Sequence, residues 1–445
     1  MNLATLLQAR AAEGRPVRVG LIGAGKFGAM FLAQAGRTAG LHVAGIADLD
    51  LARVRDTLGR IGWPPERSEP ASLEQAIAGG GTWLTEDASA LTDDQRLDVL
   101  VEATGHPAAG IRHARAAFAA GTHVVMVNVE ADALAGPALA QEAAGAGVVY
   151  SLAYGDQPAL ICELVDWARS IGFEPVAAGK GTKYLPAFHA STPDTVWEHY
   201  GLTPEEARAG GMNAQMFNSF LDGTKSGIEM AAVANATGLL PPTQGLAFPP
   251  CGVDDLPHVL RPRSAGGQLE AEGQVEVVSS LERDGRTVFR DLRWGVYVVF
   301  AAPDDYVRRC FREYGLHTDA SGRYAAMYKP YHLIGLELGV SVASAALRGE
   351  PTGCSRRWRA DVVATAKRNL AAGETLDGEG GYTVWGRLLP ASASRQSGGL
   401  PIGLAHGLRL CRPVPAGRSL VWDDVEDTGD DDARRYRREM EAAFS

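Results

Sequence analysis

The chain is 445 residues long, more than one ordinary domain needs, and its 46% apolar content is enough for several cores. Acidic residues outnumber basic ones, 53 to 43, for a formal charge of −10. No basic block stands out to meet a phosphate backbone, so nucleic acid is excluded as an expected partner.

The 5 cysteines contain no CxxC pair, which argues against a disulfide framework or structural zinc and fits a cytoplasmic setting. No basic start leads into a long apolar stretch, and no apolar run reaches the ~18 residues of a membrane helix. Neither a secretory signal nor a membrane span is expected.

From Pro16 to about Tyr150, strand and helix patterns alternate. VRVGLIG is a short apolar strand and FGAMFLAQAGR a helix; HVAGIAD is a second strand and LDVLVEATG a later one. PAAGIRHARAAFAAG then reads as helix and THVVMVN as strand. This alternation predicts an α/β fold, a parallel sheet with helices on both faces. Gly23-Ala24-Gly25-Lys26-Phe27-Gly28 follows the first strand and opens the first helix. Gly23 permits the tight turn, Gly25 lets a pyrophosphate approach the backbone, and Gly28 lets helix and strand pack closely. The phosphates are expected at the helix N-terminus, where N–H groups point outward.

Asp48 ends the next strand, where a dinucleotide site places an acid for the ribose hydroxyls. Arg53, one helical step on, can instead reach a 2′-phosphate, so NADPH and NADH both stay open. Thr104-Gly105 and Asn128 end later strands, at the edge where open α/β sheets bind ligands. The expectation is a Rossmann-type, doubly wound NAD(P)-binding domain over residues 1–155.

In the region that follows, PALICELVDWARSIG predicts a helix and FEPVAAG a buried strand. GKGTKYLP then places Lys180 and Lys183 three residues apart. An unpaired ammonium beside a core is costly, so both lysines are expected to face an anionic or highly oxygenated substrate. Met216 to Gly238 reads as one helix. On it Asn218, Asp222, Lys225 and Glu229 fall on one narrow stripe of an otherwise apolar or small surface. Two readings fit. One is an internal ion ladder with Lys225 between the two carboxylates. The other, favoured here, is the lining of a cleft, where a lysine polarises a carbonyl oxygen and delivers a proton while a carboxylate orients it.

Lys225, Asp222, Lys183 and Glu229 are therefore the candidate catalytic residues. Lys180, Asn218, Lys329 and His332 are the candidates for substrate binding. Pro330 suits the first turn of a helix, which places Lys329 at its N-terminus. His189, Asp194 and Glu198 match no strong metal spacing and are expected on a helix surface. GQVEVVSSL and TVFRDLRWGVYVVF, joined through Asp284-Gly285, predict a strand pair. The α+β region spans residues 156–352 and closes on the predicted helix PYHLIGLELGVSVASAALRG.

Residues 353–445 change to short strands and turns. DVVATAKRNLAAGETL and LRLCRPVPAGRSLVWDDV share the order strand, Ala-Gly turn, strand, a weak internal echo that predicts a small β domain. The terminal DDDARRYRREMEAAF mixes charges and is expected to be a solvated helix or frayed tail.

VGLIGAGKFG, THVVMVN and GKGTKYLP, in that order, resemble homoserine dehydrogenases, in which a glycine-threonine-asparagine-tyrosine segment opens the catalytic domain. The Asp222/Lys225 helix is similar to their aspartate–lysine helix, with a spacing of three in place of four. Asn128 is followed here by Val129 where that family has lysine, and its glutamate–aspartate-proline segment is missing. Over nearly the whole chain the sequence is similar to the deoxyxylulose-phosphate reductoisomerase-like (DRL) proteins. These carry a homoserine-dehydrogenase-like nucleotide domain, a middle catalytic and dimerisation domain, and a C-terminal SAF (antifreeze-like, β-clip) domain. DVVATAKRNLAAGETLDGEGGYT is similar to the SAF opening.

The resemblance implies an NADPH-dependent homodimer acting on a small oxygenated carbonyl compound, with ketose-phosphate reductoisomerisation as one option and a divalent metal compatible with it. The alternatives are reduction of a semialdehyde, as in homoserine dehydrogenases, or dehydrogenation of a hydroxy or amino acid without rearrangement. From another class comes a non-catalytic cofactor-binding sensor or carbohydrate-binding module.

Overall fold

The computed structural model describes residues 2–209, 211–426, 429 and 431–444. The chain divides into two compact units, residues 1–160 with 332–356, and residues 161–331 with 357–445.

The first unit is built on six strands: β1 (Val17–Ile22), β2 (Leu41–Ala47), β3 (Trp83–Thr85), β4 (Val99–Glu102), β5 (His123–Met126) and β6 (Tyr150–Leu152). Their order is β3-β2-β1-β4-β5-β6 and every pairing is parallel. The strands are short, apolar and almost wholly buried, as a parallel sheet covered on both faces requires. The order reverses between β1 and β4, which opens a crevice at their carboxyl ends. The α/β class and the Rossmann-type sheet read from the sequence are thus present.

The Gly339–Arg348 helix joins this core through Leu338, Val342, Ala343 and Ala345. It starts at Gly339 and not at Pro330. Gly335, at φ +70°, is pressed so close to the chain that a Cβ there would lie 2.5 Å from the Phe27 carbonyl oxygen. That turn breaks the predicted longer helix.

The second unit holds β7 (Glu174–Thr182), β8 (Gln274–Ser279), β9 (Val296–Ala301) and β10 (Tyr324–Lys329), in the order β10-β9-β7-β8. β8 and β9 are not partners, contrary to the expected strand pair. β7 lies between them, parallel to β8 and antiparallel to β9. The Asp284-Gly285 turn does form: Glu282 O accepts from Gly285 N–H at 2.9 Å, and Glu282 N–H donates to Arg286 O at 2.8 Å. It closes only a local loop. β7 can occupy the centre because its glycines have no side chain. A Cβ on Gly179 would lie 1.8 Å from Glu276 O, and one on Gly181 1.9 Å from Leu292 O.

The stretch expected as one helix is two, Ala214–Leu221 and Thr224–Thr237, broken at Asp222-Gly223, where Gly223 takes φ +93°. The predicted continuous stripe is therefore interrupted. The second helix packs against β7 and β8 on one side and against β11 (Ala360–Ala366) and β12 (Val384–Pro390) on the other. A helix held between two strand layers has no solvent face, which accounts for its apolar circumference.

β11 and β12 form an antiparallel pair. Beyond them the sequence echo becomes a local two-fold arrangement. Leu370 and Val414 exchange hydrogen bonds of 2.8 and 3.0 Å. Gly373 N–H to Leu410 O (2.7 Å) is matched by Gly417 N–H to Ala366 O (2.8 Å), and Leu376 N–H to Leu408 O (2.8 Å) by Leu420 N–H to Ala364 O (2.7 Å). Both turn glycines have positive φ, +80° at Gly373 and +76° at Gly417.

The terminal helix, Asp432–Ala443, is docked rather than solvated. It buries Ala433, Tyr436, Arg437 and Met440. Arg437 is 1% exposed, pairs with Asp361 at 2.6 Å and Glu441 at 2.7 Å, and lies over the Trp358 ring. A charged sequence hid an i, i+3, i+4, i+7 stripe whose arginine finds its partner far away in the chain. Among the described residues, no helix is long and apolar enough to cross a membrane.

Candidate active site

In the first unit the three glycines of the turn differ in what surrounds them. Gly23 has φ +92°, and a Cβ there would lie 2.6 Å from Ala103 O. At Gly28 a Cβ would lie 2.5 Å from Gly23 O, so helix and turn touch backbone to backbone. A Cβ on Gly25 would meet nothing within 4 Å. Gly25 caps the Lys26–Ala35 helix without any side-chain hydrogen bond, leaving the first-turn N–H groups of exposed Lys26 and half-buried Phe27 facing that space. An uncapped helix N-terminus above a bare glycine fits a pyrophosphate.

Asp48 is 9% exposed. It accepts from Ala24 N–H at 2.8 Å and Asp50 N–H at 3.0 Å, and pairs with Arg53 Nη2 at 2.9 Å. At the end of β4, Thr104 and Gly105 are exposed, and the Thr104 hydroxyl donates to buried Glu102 at 2.6 Å. Asn128 is 1% exposed. Its Oδ1 caps the Val129–Gly145 helix by accepting from Ala131 N–H, and its Nδ2 donates to His106 O at 3.0 Å. It braces the Thr104–His106 loop from beneath.

Gly25→Ala provides a direct test of the cradle. With φ −68° and open space around it, the new methyl group is expected to change stability by about 1 kcal/mol or less. It is expected to raise the cofactor Kd at least tenfold, because it occupies the pyrophosphate's approach. Fluorescence titration with NADPH and NADH checks this; unchanged affinity would remove the cradle from the site.

In the second unit the polar residues of the expected stripe find partners outside it. Lys180, 6% exposed on β7, forms a buried ion pair with Glu229 on the Thr224–Thr237 helix. Asp222, fully buried, has Lys367 Nζ at 2.7 Å from Oδ2 and accepts from Thr224 N–H at 2.9 Å. Among the described residues both carboxylates take ion-pair partners from other elements and not from a ladder along the helix: the helix break turns Asp222 toward the β11 end. Burial pushes the Asp222 carboxyl up, opposed by Lys367 and by the Thr224 hydrogen bonds.

Lys367 was not singled out from the sequence. It follows the fully buried strand β11, and its ammonium also donates to Ser191 O at 2.8 Å and Gly381 O at 2.7 Å. Asn218 is also wholly buried, accepting from Ser191 Oγ and donating to Ser191 O and Gly380 O. Lys225 is half-buried on the first turn of its helix.

Lys183 follows β7, donates to His199 O and lies 5.8 Å from the centre of the Tyr200 ring. Burial, then the Arg293 guanidinium, lowers its pKa. Lys329 ends β10, with Glu163 at 3.9 Å, and does not cap a helix. His332 is half-buried and belongs to the first unit.

His189 Nδ1 donates to Asp222 O at 2.7 Å, and its Nε2 accepts from the Tyr184 hydroxyl at 3.0 Å. Its ring stacks on Trp385 at 3.8 Å, and burial lowers its pKa. With Gly223, Gly245, Phe248 and Arg387 it lines a cavity of about 220 Å³. Asp194 accepts from the Tyr382 hydroxyl at 3.0 Å, and Glu198 is exposed. Among the described residues no three His, Cys, Asp or Glu side chains are grouped to hold a metal ion.

Residues 155–338 match the family described as oxidoreductase DRL, catalytic domain, and residues 19–152 match the homoserine dehydrogenase NAD binding domain. No curated protein matches the chain significantly. Similar solved structures include a homoserine dehydrogenase from Thiobacillus denitrificans, 21% identical over 50% of this chain and 49% of that one, with a TM-score of 0.36. The chain thus spans about half the length of that enzyme. A probable dehydrogenase from Thermotoga maritima is 15% identical over 75% and 90% of the two chains, TM-score 0.38. The 1-deoxy-D-xylulose 5-phosphate reductoisomerase from Zymomonas mobilis in complex with NADPH is 19% identical over 49% and 57%, TM-score 0.34.

The nucleotide domain expected from the glycine turn is matched over residues 19–152, and the DRL resemblance, drawn over nearly the whole chain, over residues 155–338. Residues 155–338 are thus similar to the catalytic domain of DRL oxidoreductases, and residues 19–152 to the NAD binding domain of homoserine dehydrogenases.

Proposed function

We propose that the chain is an NAD(P)-dependent oxidoreductase that uses NADPH to reduce the carbonyl group of a small, oxygenated, anionic substrate of the ketose-phosphate class. The observation that carries the reading is the anchoring around the Thr224–Thr237 helix. Asp222 before it and Glu229 within it are neutralised by Lys367 and Lys180 from other elements. That fixes the helix's first turn, and with it Lys225.

Bound nicotinamide supplies the hydride. Lys225 holds the proton destined for the carbonyl oxygen, the role an ammonium at such a position can play. The Lys26 and Phe27 N–H groups hold the pyrophosphate. Arg53 neutralises Asp48 at the end of β2, so a 2′-phosphate there meets a guanidinium and not a bare carboxylate. Assembly as a homodimer belongs to the same reading, and light scattering of the purified chain tests it.

The decisive experiment follows NADPH and NADH oxidation with ketose phosphates, tetroses, aldehydes and semialdehydes, with and without magnesium or manganese. Turnover of a phosphorylated ketose with NADPH is expected, and the product's carbon skeleton shows whether rearrangement accompanies reduction. Arg53→Ala is expected to raise the KM for NADPH about tenfold and to change that for NADH less than threefold. Activity confined to aspartate semialdehyde would replace this reading with the homoserine-type one, and a silent panel would sink it.

A further inference from the structure

The buried and half-buried cations of the second unit mostly sit on carboxylates: Lys180 on Glu229, Lys367 on Asp222, Arg261 on Asp319 and Arg437 on Asp361. Lys183 and Arg293 do not. Among the described residues neither has a carboxylate within ion-pair distance, although both side chains belong to half-buried residues. Both approach one phenol, with Lys183 Nζ 5.8 Å and Arg293 Cζ 5.9 Å from the centre of the Tyr200 ring. Lys183 uses one donor on His199 O. The Arg293 guanidinium stacks over Trp294 at 4.7 Å, a contact through its flat face that leaves its in-plane N–H donors available. The Tyr200 hydroxyl has no hydrogen-bond partner among the described residues.

The backbone holds these groups near one another. Gly181 on β7 lies so close to the Leu292–Gly295 turn that a Cβ would sit 1.9 Å from Leu292 O and 2.9 Å from Arg293 N. Gly181 N–H donates to Gly295 O at 3.1 Å, and Asp291 Oδ1 accepts from Arg293 N–H at 2.8 Å. Arg293 is thereby planted beside the strand end that carries Lys183. Asp291 is spent on the Arg293 backbone N–H, and keeping two side-chain cations close with no carboxylate among the described residues in ion-pair contact with either costs Coulomb energy; in a protein of net charge −10 that arrangement calls for a ligand.

We infer that Lys183, Arg293 and the Tyr200 hydroxyl form a subsite for a phosphate monoester, the anionic group of the substrate. The inference rests on the proposed reduction of an anionic carbonyl compound and deepens it. A guanidinium fork, an ammonium and a phenol offer more donors than a carboxylate can use, and they suit a dianion with three terminal oxygens.

The test titrates inorganic phosphate, and acetate in parallel, into the full-length protein saturated with NADP⁺, so that the dinucleotide cradle is filled. Heat of binding and thermal midpoint are both read. Wild type is expected to bind phosphate at least tenfold more tightly than acetate. Arg293→Met and Lys183→Met are each expected to weaken phosphate at least tenfold, Arg293→Lys less than Arg293→Met, and Arg290→Met, at an exposed pair with Asp254, not at all. The unliganded thermal midpoint shows that each variant is folded, and Arg293→Lys keeps the test valid if Arg293→Met is not. Phosphate binding that survives Arg293→Met, or acetate binding as tight as phosphate, would overturn the subsite. Turnover is not read in this titration, so a silent carbonyl panel sinks the proposed reaction without touching this result.

Discussion

Lys367→Met is expected to lower the thermal midpoint by on the order of 10 °C at pH 8, the equivalent of about 3–5 kcal/mol. Asp222 is fully buried, and the Lys367 side chain is 2% exposed. Removing the ammonium leaves a carboxylate with its Thr224 hydrogen bonds and no counter-charge. The cost is that of an unpaired buried charge, well above that of a surface pair. Asp222→Asn combined with Lys367→Met removes both charges and is expected to recover at least half of the loss.

pH gives an independent sign. Asp222's pKa is already raised by burial, against the opposing pull of Lys367. A carboxyl raised on folding contributes stability that is full below its unfolded pKa and is lost as pH rises through its folded value. Without Lys367 that folded value climbs further, so the gap between variant and wild type should narrow on acidification. A midpoint within 2 °C of wild type at pH 8 would show that the pair carries little energy. Scanning calorimetry at several pH values checks both expectations.

Glu276→Gln is expected to change how stability depends on pH more than stability at any single pH. Glu276 on β8 is 2% exposed and accepts from Ala247 N–H at 3.1 Å and Phe248 N–H at 3.3 Å. It holds the loop in which Phe248 adopts φ +50°. Burial pushes its carboxyl up from 4.5 to about 7, against the pull of those N–H groups. Its contribution is therefore complete below about pH 4.5 and is lost as pH rises through about 7, a swing of about 3 kcal/mol.

Glutamine does not titrate, so the variant should gain about 3 kcal/mol relative to wild type between pH 4.5 and 8, whatever the fixed cost of seating its amide. Asp132, raised by burial to about 6 in the first unit, titrates equally in both proteins and cancels in the difference. Parallel curves for the two proteins would show that Glu276 does not titrate in this window. Denaturation in urea at five pH values supplies the comparison.

The two halves of the chain differed in how far the sequence could be read. The nucleotide turn is encoded by neighbours: strand, three glycines and helix lie within a dozen positions, and each glycine's task follows from its place in the turn. The middle region has no such local code. Asn218, Asp222 and Glu229 read as polar groups in an apolar setting, but their partners, Ser191, Gly380, Lys367 and Lys180, lie in other elements. Helical spacing placed Lys225 between two carboxylates, and one glycine at φ +93° was enough to turn Asp222 elsewhere. Arg293 sits in a turn whose approach to Lys183 depends on Gly181 being bare. The strand that separates β8 from β9 comes from far upstream, so the Asp284-Gly285 turn pointed to the wrong neighbour.

Read alone, the amino-acid order was sufficient for what depends on contacts between near neighbours: the parallel α/β sheet, the phosphate-binding turn, the buried character of β7 and the repeat near the C-terminus. Which charge meets which was settled by folding, because a buried ammonium takes whatever carboxylate the packing of distant segments delivers, and that choice leaves no periodic trace in the chain.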